Sequence, residues 1–228
     1  FLLHQLLITA ATPRRVGLYR LMKARAAWTP DQIRTYQEKN LRDVIAYCWQ
    51  HIPFYREHWR GHIDDPREIN TIADLHKLPL LTKDQVREHL DTLITTDPKV
   101  KSTEARTGGS TGKPIIFRMT YHDEQLAWAH MYVGGSWAGY RIGDPFLIVG
   151  GESVGIGLGD KRTLADKVMN RWVTSGSNLT LERTRALTQQ PHFHQIRLIY
   201  GYPNSIKELC EYLVQLNVRP RSLQGVIC

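Results

Sequence analysis

Phe146-Leu147-Ile148-Val149, running into Gly150-Gly151, is the stretch whose reading decides the fold. Four apolar residues in a row, closed by a glycine pair, form a run of strand length with no polar alternation, as a buried strand requires. Towards the C-terminus, the apolar spacing predicts a helix near Leu164–Val173 and a strand at Ile196–Tyr200. A helix capped by Asn204 follows, with Ile206, Leu209, Leu213 and Leu216 on one face, and Val226-Ile227-Cys228 begins another strand. Towards the N-terminus, Ile115-Ile116-Phe117 reads as a short strand leading to a helix over Tyr121–Trp137, with Trp128, Tyr132 and Trp137 as its core face. Alternation of this kind implies an α/β fold with a largely parallel sheet.

The first hundred residues have a different texture, that of helices joined by short turns. Thr29-Pro30-Asp31-Gln32 is a capping box with proline at the first helical position, where its missing N–H costs nothing. Ile33, Tyr36, Leu41, Val44, Ile45 and Cys48 follow at near-helical spacing, and the helix is expected to stop before Pro53. Thr82-Lys83-Asp84-Gln85 is a second box, and Leu78-Pro79-Leu80-Leu81 before it reads as an extended connector. The expected organisation is a helical region over 1–98 and an α/β region over 99–228. A last strand cut in mid-run, and a first residue other than Met, lead us to expect a sheet incomplete at its C-terminus and a longer parent polypeptide.

Composition sets limits on function. The 228 residues carry a net charge of +8, with 42% hydrophobic and 23% charged residues, as in an ordinary globular protein. Five of those charges sit on Arg14, Arg15, Arg20, Lys23 and Arg25, and residues 1–30 contain no acid. The remainder is scattered, without the basic stripe and interleaved aromatics of a nucleic-acid binder, so no nucleic-acid partner is expected. The basic N-terminus reads as a solvated face, with weak contact to a membrane surface as the alternative. The opening FLLHQLLI is too short to span a bilayer. Three cysteines far apart, Cys48, Cys210 and Cys228, fit a reducing, cytoplasmic compartment and supply no thiolate zinc site. His192 and His194 lack an evident third ligand, so no metal site is assigned to them.

One segment has chemistry written on it: Thr107-Gly108-Gly109-Ser110-Thr111-Gly112-Lys113-Pro114. Its glycines allow close backbone approach to a ligand, and successive N–H groups in such a turn form an anion-binding concavity. Hydroxyls and an ammonium add donors suited to phosphate oxygens. The Walker loop fails on spacing, because its first glycine would be Thr107 and its magnesium-binding hydroxyl would be Pro114. Gly155-Ile156-Gly157 approaches the dinucleotide fingerprint, but Asp160 stands where the third glycine belongs.

The loop resembles the signature of the adenylate-forming (acyl-CoA synthetase) superfamily, [ST]-[SG]-G-[ST]-[ST]-G-x-P, at all eight positions. With Lys113 before the proline and Ile115 after it, it is similar to the phenylacetate–CoA ligase branch and its capsular-polysaccharide-biosynthesis (CapK-like) relatives. Asn40–Arg56 with its His51-Ile52-Pro53-Phe54-Tyr55, Leu78–Lys83, Ala138–Asp144 and Tyr200–Pro203 are similar to segments of that branch. The resemblance implies a small-molecule carboxylate substrate, ATP and Mg2+, and transfer of the acyl group to a thiol such as CoA. It also implies that Thr107, Gly108, Gly109, Ser110, Thr111, Gly112 and Lys113 hold the ATP phosphates, with the metal ligand outside this sequence. Alternatives are an acyl-protein synthetase and a catalytically inactive binding module. Gly150-Gly151-Glu152-Ser153 and Tyr200-Gly201-Tyr202 follow predicted strands, where open α/β sheets bind ligands, and are candidate walls of an acyl pocket.

Overall fold

Thr29 decides where the first long helix begins. In the computed structural model, which describes residues 2–107, 114–150 and 162–228, its hydroxyl accepts the Gln32 N–H while the Gln32 side chain accepts the Thr29 N–H. Helix α3 (Pro30–His51) follows, and two shorter helices precede it, α1 (Leu2–Ala11) and α2 (Pro13–Arg25). Ile52 takes an extended conformation before Pro53, which ends α3 and opens α4 (Pro53–His58). The described residues divide into two compact units, Ala24–Tyr121 and the residues up to Lys23 together with His122–Cys228.

In the first unit, α3 buries Ile45 against Trp59, Ile63 and Ile69, with Leu41, Cys48 and Trp49 beside them. The apolar spacing overstated this stripe, because Ile33, Tyr36 and Val44 are exposed. Arg25 covers the Tyr36 ring at 4.1 Å, so that tyrosine serves a cation–π contact rather than the core. Thr82 caps α5 (Lys83–Glu88) with the expected box. An antiparallel hairpin closes the unit, β1 (Ser102–Arg106) paired with β2 (Ile116–Thr120), Arg106 opposite Ile116. The boundary expected at 98/99 falls inside this unit, between α5 and the hairpin.

The second unit is built on four parallel strands: β3 (Phe146–Gly150), β4 (Arg171–Ser175), β5 (Leu198–Gly201) and β6 (Gly225–Ile227), in the order β4-β3-β5-β6. Every residue of β3 is buried. Phe146, Ile148 and Leu198 point into one apolar cluster with Ile8, Val16, Met131, Tyr132 and Met169. Leu147, Val149 and Ile199 point into another with Leu179, Phe193, Ile206, Leu209 and Leu213. The period of two thus divides a single apolar run between two cores, each such side chain contributing about 1.5–3 kcal/mol by its burial. Helix α6 (Tyr121–Trp137), with the bounds expected, covers the first face. Its Trp137 is not core but 81% exposed.

Three further expectations differ from the structure. The helix expected over Leu164–Val173 is only α7 (Leu164–Val168), because Asn170 turns the chain at φ +51° and Trp172-Val173-Thr174 continues as β4. Asparagine tolerates the left-handed region, and its side chain is held by a 2.9 Å bond to the Gly143 carbonyl. Helix α8 (Leu181–Thr188), capped by Thr180, has no counterpart in the expectation. Asn204 does not cap α9 (Pro203–Gln215); Tyr202 occupies that position, Pro203 is the first helical residue, and Asn204 lies within the first turn.

Candidate functional site

The strand order contains one reversal. From β3 the chain moves to β4 on one side, then returns to lay β5 on the other side of β3. The connections also change face. Val168 and Met169, at the end of α7, pack with the first cluster, whereas Leu187 of α8 and Ile206, Leu209 and Leu213 of α9 pack with the second. At such a reversal an open α/β sheet as a general rule offers a ligand-binding crevice beyond the carboxyl ends of the two strands whose connections diverge, and here the reversal lies between β3 and β5.

Four expected pocket residues meet there. Gly150 ends β3, Tyr200 and Gly201 end β5, and Tyr202 leads into α9. Gly201 pairs with Val149, and a Cβ on it would collide with the Val149 carbonyl oxygen, so only glycine allows the two strands this approach. Tyr200 leans on the first cluster, while Tyr202 is 47% exposed at the crevice. Gly151, Glu152 and Ser153 lie outside the described residues.

The structure adds residues that sequence reasoning passed over. The Gly176 N–H donates to the Gly150 carbonyl at 2.8 Å, carrying the turn after β4 to the end of β3. Ser175 and Ser177 flank it with their Oγ atoms 3.2 Å apart. A Cβ on Gly176 would strike the Ser205 side chain, which stands in the first turn of α9. The Tyr202 side chain makes no capping bond to that first turn, whose N–H groups form the positive end of a 13-residue helix. Three hydroxyls and a helix N-terminus at one sheet end can donate hydrogen bonds to a polar or anionic ligand group. The available signal was Ser175-Gly176-Ser177-Asn178, a turn cluster directly behind the β-branched pair Val173-Thr174.

The phosphate-loop candidate belongs to the first unit, where it connects β1 to β2. Its neck is described: the Thr107 N–H donates to the Ile115 carbonyl at 2.9 Å, and the Ile115 N–H donates to Thr107 Oγ1 at 2.9 Å. The Thr107 hydroxyl thus accepts a bond that joins the two ends of the hairpin connection. Gly108, Gly109, Ser110, Thr111, Gly112 and Lys113 lie outside the described residues.

Two titratable side chains are held in a stack on Trp172. Arg162 stacks 3.9 Å over Trp172, and His192 stacks on Trp172 with centroids 4.0 Å apart. Burial, and then the Arg162 charge, bring His192 down to about 4, so this imidazole is neutral at pH 7. It sits before a short 3-10 turn (Phe193–Gln195) that contains His194. Among the described residues no three His, Cys, Asp or Glu side chains converge on a point.

No family model matches the chain. Protein CapK of Staphylococcus aureus is 24% identical over 185 residues, 80% of this chain and 40% of that protein. The phenylacetate–coenzyme A ligase of Thermus thermophilus is 28% identical over 94 residues, 41% of this chain and 21% of the ligase. In sequence the chain is similar to CapK and to the phenylacetate–CoA ligases. Among solved structures, 2-hydroxyisobutyryl-CoA ligase in complex with 2-HIB-AMP and CoA matches with a TM-score of 0.62 at 19% identity, over 88% of this chain and 44% of that one. A postadenylation state of the same ligase gives 0.61 at 18% identity. The structural likeness is one of fold, and the α/β arrangement with its parallel sheet is that of the CoA ligases. The chain spans less than half the length of these relatives.

Proposed function

We propose that this chain supplies the phosphate loop and some of the acyl pocket of an ATP-dependent carboxylate-adenylating ligase. The observation that carries the reading is the eight-position loop 107–114, strung between two paired strands and tied at its neck by Thr107 and Ile115. The names of its relatives, CapK and phenylacetate–CoA ligase, support it.

A carboxylate is already a competent nucleophile at neutral pH, so the site needs no general base. One carboxylate oxygen attacks the α-phosphorus, the bond to the β-phosphate oxygen breaks, and pyrophosphate leaves. A thiolate then attacks the acyl carbon of the mixed anhydride and AMP departs, CoA being the proposed thiol. Charge accumulates on the departing phosphates in the first step, and the donors of Ser110, Thr111, Lys113 and the loop amides are suited to receive it. The acyl group would lie at the crevice bounded by Gly150, Gly201 and Tyr202. No described cluster of acidic or imidazole side chains fits Mg2+, so no residue here is assigned to that ion and no step is routed through it.

The test is carboxylate-dependent exchange of labelled pyrophosphate into ATP by the full-length polypeptide. Exchange that appears with one class of carboxylate supports the reading. Its absence across aryl, alkyl and hydroxy acids, with ATP binding also absent, overturns it.

A further inference from the structure

Helix α1 is seated the wrong way round for a helix facing water. Its only buried residue is Ile8, which enters the first core cluster beside Val16. The Gln5 backbone lies against Gly143, whose added Cβ would stand 2.9 Å from the Gln5 nitrogen. His4 is half-buried, and Thr12 beyond the helix end is buried, with its hydroxyl donating to the Ile8 carbonyl. On the other side Leu2, Leu3 and Leu6 are 71%, 64% and 69% exposed, and Leu7 is exposed as well. At 100° per residue these four leucines occupy an arc of roughly 140°, facing away from the arc that docks.

Helix α2 complements it. Its Arg15 and Val16 are buried and Tyr19 packs on the same cluster, which turns Arg14, Arg20 and Leu21 outward, while the exposed Lys23 lies over the Tyr19 ring at 5.8 Å. Residues 1–30 contain no carboxylate to neutralise them. An apolar helix face beside an acid-free basic helix face, both fixed to one core, is the combination that seats a protein on an anionic lipid surface. We propose that α1 and α2 form a docking surface for an anionic bilayer, with the leucines at the acyl boundary and Arg14 and Arg20 at the phosphates.

Charge decides between this occupant and the others. A second copy seated face to face would bring two acid-free basic helices together, a like-charge juxtaposition that opposes association. A bilayer rich in phosphate esters supplies the missing anions. The surface lies on the membrane rather than in it. Ten residues of helix reach about 15 Å, half the hydrocarbon thickness, and no described helix is long and apolar enough to cross.

The test is sedimentation of the full-length polypeptide with phosphatidylcholine vesicles, with and without phosphatidylglycerol. Binding is expected only where phosphatidylglycerol is present, and it should weaken as salt rises. Leu3→Glu with Leu6→Glu should lower binding at least tenfold, and Arg14→Glu with Arg20→Glu should lower it and flatten its salt dependence. These positions are exposed, so the melting temperature should hold. Leu6→Trp gives a readout independent of folding losses, its emission moving to the blue on phosphatidylglycerol vesicles alone. Equal binding by the leucine variants, no binding to either vesicle, or a Leu6→Trp emission already blue without lipid would overturn the proposal. So would concentration-dependent dimerisation that Leu6→Glu abolishes.

Discussion

Gly201 and Gly17 make a matched pair, because the same substitution should have opposite effects at the two positions. Alanine at Gly201 drives its methyl into the Val149 carbonyl and must push apart a pair of hydrogen-bonded central strands, which should cost about 1–3 kcal/mol or more. Gly17 sits in α2 with open space around its missing Cβ, so Gly17→Ala should stabilise by about 0.5–1 kcal/mol through lower unfolded-state entropy. Urea unfolding of the two variants checks both signs; a neutral Gly201→Ala would show that β3 and β5 are not held as described. Lys113→Ala belongs to the same scale. Under the proposed function it removes a charge-assisted donor, and adenylation should fall by about 10²–10³ or somewhat less, since loop amides share the charge. Ser110→Ala, removing a neutral donor, should cost less. Thioester formation from a supplied acyl-adenylate should be spared in both. Equal loss in the two half-reactions would remove the loop from the phosphates.

Elements explain which features could be read from the chain. The α3 and α5 starts were legible because a capping box is local: Thr29 with Gln32 and Thr82 with Gln85 each settle a boundary within four residues. β3 was legible because it is apolar on both faces. β4 was not, since Leu164, Val168 and Trp172 keep helical spacing across a turn that depends on the left-handed conformation of Asn170. For the candidate site, strand ends pointed to Gly150 and Tyr200–Tyr202, but Ser175 and Ser177, at and just beyond the end of β4, and Ser205 in α9 come from two places that only the sheet order joins. The Arg162–Trp172–His192 stack carries a prediction of its own. Its imidazole titrates near 6.5 when unfolded and at about 4 when folded, so the unfolded chain binds the extra proton between those values. Stability is then complete above about pH 6.5 and declines as pH falls towards 4. His4, also lowered, first by burial, adds in the same direction. His192→Phe keeps the stack without the proton. Its melting temperature should fall less between pH 7 and pH 5 than that of the native chain, and an unchanged decline would acquit His192.

At the scale of the whole molecule, the strand order β4-β3-β5-β6 has a consequence for how the protein is made. β3 leaves the ribosome before β5, yet one of its edges pairs only with β5, and the two faces of its apolar run are covered by residues from far upstream and far downstream. Ile8 and Val16 are synthesised first, whereas Leu198, which shares their cluster, and Leu209 and Leu213 on the opposite face come near the end. At about 5–20 residues per second, Phe146–Gly150 spends several seconds as an uncovered apolar strand while α7, β4 and α8 emerge. Non-local pairing of this sort folds slowly, because loop closure precedes the contacts that reward it. The nascent chain is thus most vulnerable to aggregation and proteolysis between the emergence of β3 and that of α9. A chaperone that shields short apolar strands should meet this protein at Phe146–Gly150 before any other strand of the sheet.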